Sequence, residues 1–99
     1  NVDIALECYP NPFINNTHIK WHKSIDRKIG SVLITCIKIY DLTGRIIKCY
    51  ARTNSTGDLS DRVMWSGDDE EGCPMPAGIY YVEVTIGRER KIIKIVKLK

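Results

Sequence analysis

Apolar and polar residues alternate with a period of two along most of this chain, the spacing of strands that bury one face. Val2, Ile4, Leu6 and Cys8 line up against Asp3, Ala5 and Glu7, and the prolines of YPNPF, Pro10 and Pro12, end that first strand. THIKW supplies a second strand, with Thr17, Ile19 and Trp21 on the apolar face and His18, Lys20 and His22 on the polar one. SVLITCIKIY is too rich in β-branched residues to favour a helix, and DLTG turns it back into RIIKCYA as a hairpin. A polar loop, TNSTGDLS, leads to the strand DRVMW, and an acidic crossing leads to GIYYVEVTI. An IGRE turn then opens the last strand, KIIKIVKLK.

Seven short strands, no helical stretch and about a hundred residues predict an all-β fold, a seven-stranded antiparallel immunoglobulin-like β-sandwich, with a barrel as the alternative. The length suits one domain spanning residues 1–99. Tyr80, Val82, Val84 and Ile86 share the face expected inward, with Tyr81, Glu83 and Thr85 opposite. Tyr80 stands where a tyrosine corner places the ring in the core and the hydroxyl on backbone. The last strand resists orientation, because Lys94 and Lys97 fall on opposite faces.

Composition changes this picture little. Hydrophobic residues make up 43% and charged residues 27%, a globular balance, and the net charge is +3. The basic residues cluster most densely in RERKIIKIVKLK, but that stretch alternates charge with Ile, Val and Leu and lacks aromatics for base stacking. A solvated strand face is expected there, not a nucleic-acid site. No apolar run is long enough to cross a bilayer as a helix, so no membrane insertion is expected. The opening NVDIALECYP has neither an initiator Met nor the flanks of an export signal, which suggests a module excised from a larger protein. Cys8, Cys36, Cys49 and Cys73 contain no Cys-x-x-Cys, so zinc is disfavoured, and free thiols and disulfides both stay open.

Three groupings carry possible chemistry. His18 and His22 would share a metal on a helix, but on a strand they sit some ~13 Å apart on a solvated face. A triad assembled from Ser24, His22 and Asp26 has no nucleophile elbow to support it. Asp68, Asp69, Glu70 and Glu71 offer hard oxygen ligands without the spacing of a calcium loop. Gly67, Gly72, Pro74 and Pro76 mark the same segment as a structural crossing. Asn15-Asn16-Thr17 and Asn54-Ser55-Thr56 match the glycosylation sequon, which matters only in a eukaryotic protein. No cofactor, metal or catalytic residue is expected.

Four pieces occur in a telling order: YPNPF, IKIYDLTGRIIK, MWSGDDEEGCPMPAGIYYVEV and KIVKLK. Together they resemble the C-terminal sorting domain of the type IX, or Por, secretion system, itself similar to the immunoglobulin-like domain of the flagellar hook-capping protein. The resemblance covers nearly the whole chain. Asn11 and Pro12 match the family's opening, Asp41 and Gly44 its hairpin turn, and Trp65, Gly67, Asp69 and Gly72 its Trp-x-Gly-x-Asp-x-x-Gly crossing. Gly78 and Tyr80 match its sixth strand, and Val96, Leu98 and Lys99 its terminal strand. The long polar RTNSTGDLSDR, the four cysteines and Lys97 in place of an apolar residue depart from the pattern.

The resemblance implies a non-enzymatic signal that directs an upstream cargo domain across the outer membrane. Its partners would be the translocon and a sortase-like peptidase that removes it. The protein would pass through the periplasm and end on the cell surface or secreted. The expected contact is the last strand, Lys94, Ile95, Val96, Lys97, Leu98 and Lys99, as an edge whose lysines resist uncontrolled pairing yet permit strand addition by a receptor or a dimer partner. The competing reading is an immunoglobulin-like structural or spacer domain of a secreted hydrolase or a hook-cap-like assembly protein.

Overall fold

The computed structural model describes residues 4–24, 33–54 and 58–99. Seven strands run through them: β1 (Ala5–Tyr9), β2 (Thr17–Ser24), β3 (Leu33–Tyr40), β4 (Ile46–Asn54), β5 (Asp58–Trp65), β6 (Gly78–Ile86) and β7 (Glu89–Lys97). They form two antiparallel sheets, ordered β1-β2-β5 and β4-β3-β6-β7, a sandwich and not a barrel. The fourth strand joins the sheet of the third, sixth and seventh, whereas a constant-type immunoglobulin domain places its fourth strand in the other sheet.

The alternation in the sequence becomes the core. Thr17, Ile19 and Trp21 of β2, Ile37 and Ile39 of β3, and Tyr80, Val82, Val84 and Ile86 of β6 are all buried, with Val63 and Trp65 of β5. His18, Lys20 and His22 take the outer face of their sheet, in register with Tyr9, Glu7 and Ala5 of β1. β7 resolves the ambiguity of its lysines: Ile95 and Lys97 face inward and Lys94 outward. Two sequence expectations shift. The segment read as a polar loop is largely strand, because β4 continues to Asn54 and β5 begins at Asp58, leaving residues 55–57 outside the described part. β7 ends at Lys97, so Leu98 and Lys99 are not strand.

Turn chemistry explains the β3–β4 hairpin. Asp41 accepts hydrogen bonds on one carboxylate oxygen from the amides of Thr43 and Arg45 and from the Thr43 hydroxyl, while Gly44 takes φ +91° with no neighbour near its missing side chain. The Thr43 hydroxyl first, then the Arg45 amide, hold the Asp41 carboxyl below its ordinary pKa. Among the described residues two charged side chains lie buried, Glu83 and Lys97. Glu83 accepts from the Tyr40 hydroxyl at 2.8 Å and pairs with Arg90 at 3.3 Å. That bond to Glu83, ahead of burial, raises the Tyr40 pKa. Among the described residues no buried side-chain nitrogen or oxygen lacks a partner.

The tyrosine corner is present: the Tyr80 hydroxyl donates to the Pro76 carbonyl, four residues upstream. Tyr80→Phe keeps the ring and removes this bond; it should cost about 1 kcal/mol and lower the melting midpoint by about 4–8 °C in a domain of this size, as calorimetry would read. A melting temperature unchanged within error would show that the hydroxyl does not hold the corner.

All four cysteines are free thiols. Cys8 points beneath β1, where burial, helped by the charge of Glu7, pushes its pKa up to about 12. Cys73 lies exposed in the crossing. In the native protein at pH 8, alkylation followed by peptide mass mapping should label Cys73 readily and leave Cys8 unmodified, with both reacting in denaturant. Rapid native labelling of Cys8 would refute its burial.

Candidate functional site

One end of the sandwich gathers most of the residues singled out in the sequence. The chain leaving β1 passes Pro10 and Pro12, neither of which has an amide hydrogen to donate, and comes to lie along the outer side of β7. There the Asn11 side chain does what the missing amides cannot. Its Nδ2 donates to the Lys94 carbonyl and its Oδ1 accepts from the Val96 amide, both at 3.0 Å. Phe13 continues the rail: its amide donates to the Val96 carbonyl at 2.9 Å, and its carbonyl accepts from the Leu98 amide at 2.8 Å. Thr17, fully buried, ties the loop down by donating to the Pro10 carbonyl.

The Phe13 ring anchors this clamp in the core. Its centroid lies 5.6 Å from that of Trp65, and Trp65 meets Tyr80 edge-on at 5.3 Å. The Trp65 indole donates to the Asp68 carbonyl at 2.8 Å, which fixes the start of the crossing.

Gly67 comes next, with φ +74°, and it is buried. A Cβ there would stand 2.5 Å from Cε of Lys97 and 3.5 Å from the Phe13 ring. Lys97 thus fits an apolar position by laying its alkyl stem over Gly67 and Phe13 while its ammonium donates to the Lys99 carbonyl.

The acidic crossing is a set of hydrogen-bond acceptors aimed at backbone. One oxygen of Asp69 accepts from the amides of Glu71 and Cys73, both at 2.9 Å, and Gly72 closes that turn at φ +84°. Asp68 pairs with Lys48 of β4 at 3.1 Å. Burial is the largest single influence and opposes the charge of Lys48, but the bond to Asp68 together with the nearby charges of Tyr50, Asp68 and Glu70 outweighs it, and the net pKa is raised. Glu70 reaches the outward amide of Cys49 at 2.8 Å, covering part of the β4 edge. Asp69, Glu71 and Cys73 bring ligand atoms within 4.8 Å of one another. The amides already bound by Asp69 account for that convergence without a cation.

Of the sequence-predicted residues, Asn11, Pro12, Trp65, Gly67, Gly78 and Tyr80 lie around Lys94 to Lys99, while Asp69 and Gly72 shape the part of the crossing beside β4, and Asp41 and Gly44 serve the hairpin. Two expectations about the last strand are corrected. Its outer edge from Lys94 to Leu98 is not open, because Asn11 and Phe13 occupy it. Lys97 does not stand on a solvated edge; it is buried. Phe13 escaped the sequence reading, and Glu70, weighed there only as an acid of the crossing, was not placed on the β4 edge. The signal for Phe13 was its place in YPNPF, a large apolar residue right after two strand-breaking prolines. Of the paper triad, His22 is an exposed residue of β2, and Asp26 lies outside the described residues.

Residues 7–98 match the family described as the secretion system C-terminal sorting domain. The chain belongs to that family. Such domains are C-terminal sorting signals of the type IX secretion system, carried by proteins exported to the cell surface or secreted, and the family is not catalytic. No curated protein sequence matches significantly.

Solved structures share the fold. The sorting domain superposes with TM-score 0.75 and 17% identity on dimeric latent PorU from Porphyromonas gingivalis, covering 99% of this chain and 9% of that one. PorZ, described as an essential bacterial surface component of the type IX secretion system of the same organism, gives TM-score 0.57 and 22% identity over 96% of this chain and 12% of its own. The alkylpurine DNA glycosylase AlkC of Pseudomonas fluorescens gives 0.68 and 14%, over 99% and 30%. The sorting domain therefore spans only a small fraction of each of these proteins.

The clamp makes a quantitative prediction. Gly67→Ala meets both a left-handed backbone, costing about 1 kcal/mol, and the Lys97 stem; Gly72→Ala, at similar φ with open space around it, meets only the first. Gly67→Ala should destabilise by at least about 1 kcal/mol more than Gly72→Ala in urea titrations, and adding Lys97→Ala should recover most of the difference. Equal costs for the two glycines would mean that Lys97 does not pack on Gly67.

Proposed function

We propose that the outer-membrane translocon of the type IX system reads this domain at the clamped terminal segment Lys94 to Lys99, after periplasmic transit, with cargo attached upstream. A sortase-like peptidase then removes it. The placing of β7 carries this reading: the motif residues Asn11 and Gly67, with Phe13 anchored on the motif residue Trp65, are spent on that segment and not on enclosing a cleft.

What the segment displays suits a contact surface. Leu98 is 53% exposed and Ile14 49%, and both border a hollow of about 360 Å³ with Pro10, Pro12 and Phe13. Apolar side chains exposed together at the rim of a hollow are the usual makings of a protein contact. Lys94 and Lys99 add positive charge beside them.

Deleting Lys94 to Lys99 would remove Ile95 from the core, so a point substitution tests the segment more cleanly. Residues 1–99 fused behind a fluorescent protein with an ordinary export signal should send fluorescence beyond the outer membrane of a type IX bacterium, and not in a translocon mutant. Leu98→Ser, on a domain shown folded by circular dichroism, should cut that export by about tenfold, a differential contact worth ~1.4 kcal/mol. Undiminished export with Leu98→Ser would move recognition elsewhere on the domain. A parent fusion that stays folded in the periplasm would favour an immunoglobulin-like structural module.

A further inference from the structure

The clamp covers only part of the β7 edge. In the β6–β7 ladder Tyr80 faces Ile95, Val82 faces Ile93 and Val84 faces Lys91. Val96 turns its amide and carbonyl away from β6, toward Asn11 and Phe13. By the alternation of an antiparallel ladder, Ile92 and Arg90 point their backbone groups the same way. Among the described residues no hydrogen-bond partner meets them there, and β7 is the terminal strand of its sheet. β1 approaches β7 but hydrogen-bonds to β2 in the other sheet. The open stretch carries an exposed apolar residue, Ile92 at 49%, between the exposed bases Arg88, Arg90, Lys91 and Lys94.

We propose that this open edge, Arg90 to Ile93, accepts one extended, acidic strand of a partner protein by strand addition. The inference rests on the sorting-signal reading and adds to it a second contact, beside the clamped segment. Backbone groups of Arg90 and Ile92 supply hydrogen bonds, Ile92 offers an apolar contact, and the flanking bases select carboxylates on the incoming strand. The same charges oppose pairing with a second copy. If β7 met β7 of another copy antiparallel about Ile92, Arg90 would stand directly opposite Lys94, a like-charge pair that destabilises a sheet. The clamp fixes one end of the site, since an incoming strand runs into Asn11 at Lys94.

Binding is tested by titrating the isotopically labelled domain with a capped heptapeptide alternating valine and glutamate, and with its lysine counterpart. The acidic peptide should shift the amide signals of Arg90, Ile92 and Lys94 and slow hydrogen exchange at Ile92 by about tenfold, while the lysine peptide leaves both unchanged. In the free domain Ile92 should exchange fast beside protected Ile93 and Ile95. No shift, equal shifts with both peptides, or Ile92 protection that grows with protein concentration would overturn the proposal, the last in favour of self-pairing.

Function is tested in the exported fusion. Ile92→Pro deletes the outward donor at a position where an edge strand tolerates proline, and Lys91→Glu/Lys94→Glu reverses the selecting charge. Each, with the domain shown folded, should lower export by about tenfold; if Ile92→Pro does not fold, the charge reversal decides. Normal export of the folded variants refutes the edge contact. Failure of the parent fusion refutes the sorting reading instead.

Discussion

The outer strand β7 has a ladder partner on one side only, and its terminal half is held in place by a segment that is not a strand. Two backbone bonds from Phe13 and two side-chain bonds from Asn11 stand where a neighbouring strand would be. Proline dictates this form. With Pro10 and Pro12 unable to donate, an amide side chain between them is the means left to satisfy backbone on β7, and the first free amide after them is that of Phe13. The Phe13 ring then makes the arrangement cooperative with the core, because it packs on Trp65, which packs on Tyr80. Gly67 takes φ +74°, which favours glycine, and the Lys97 stem lies over its open face, so the crossing and β7 pack directly on one another.

The four-stranded sheet thus treats its two edges differently. On β4 the crossing lies alongside, with Glu70 on the Cys49 amide and Asp68 on Lys48. On β7 the clamp covers one half and leaves the other to charge. An open edge is a hazard for aggregation, and basic residues are one of the ordinary ways to blunt it. They also decide which strands remain welcome. The acidic run in the crossing and the basic run on β7 have opposite characters: Asp69 is turned onto the crossing's own backbone, Asp68 onto Lys48 and Glu70 onto the Cys49 amide, while Arg88, Lys91 and Lys94 face water.

Much of this was legible in the sequence, for physical reasons that also mark where legibility ends. Period-two burial identified the inward faces of β2 and β6 because both strands bury one side against the opposite sheet. Turn residues located the hairpin at Asp41 to Gly44 and the crossing at Gly67 to Gly72, since positive φ and short carboxylates leave strong compositional marks. The clamp was not legible. It joins residues more than eighty positions apart through an asparagine side chain, and nothing local in KIVKLK reveals that its outer edge is taken. Lys97 was misread for a related reason: a lysine in a strand suggests solvent, unless a glycine elsewhere makes room for its stem. The polar residues of 53–60 suggested a loop because polarity alone does not separate a strand from a turn.

The clamp changes what a terminal signal can be. A linear peptide is recognised through its own residues, yet here Leu98 takes its place from Phe13, and Lys97 takes its place from Gly67. The terminal segment has its shape only when β1, the crossing and β7 have come together, because the backbone bonds that hold its outer edge all come from Asn11 and Phe13. A receptor contacting Leu98 therefore meets a composite surface, with Ile14 and Pro12 supplied from the other end of the chain. Only the folded sandwich presents this surface, since Phe13, Gly67 and β7 meet in no local stretch of the chain.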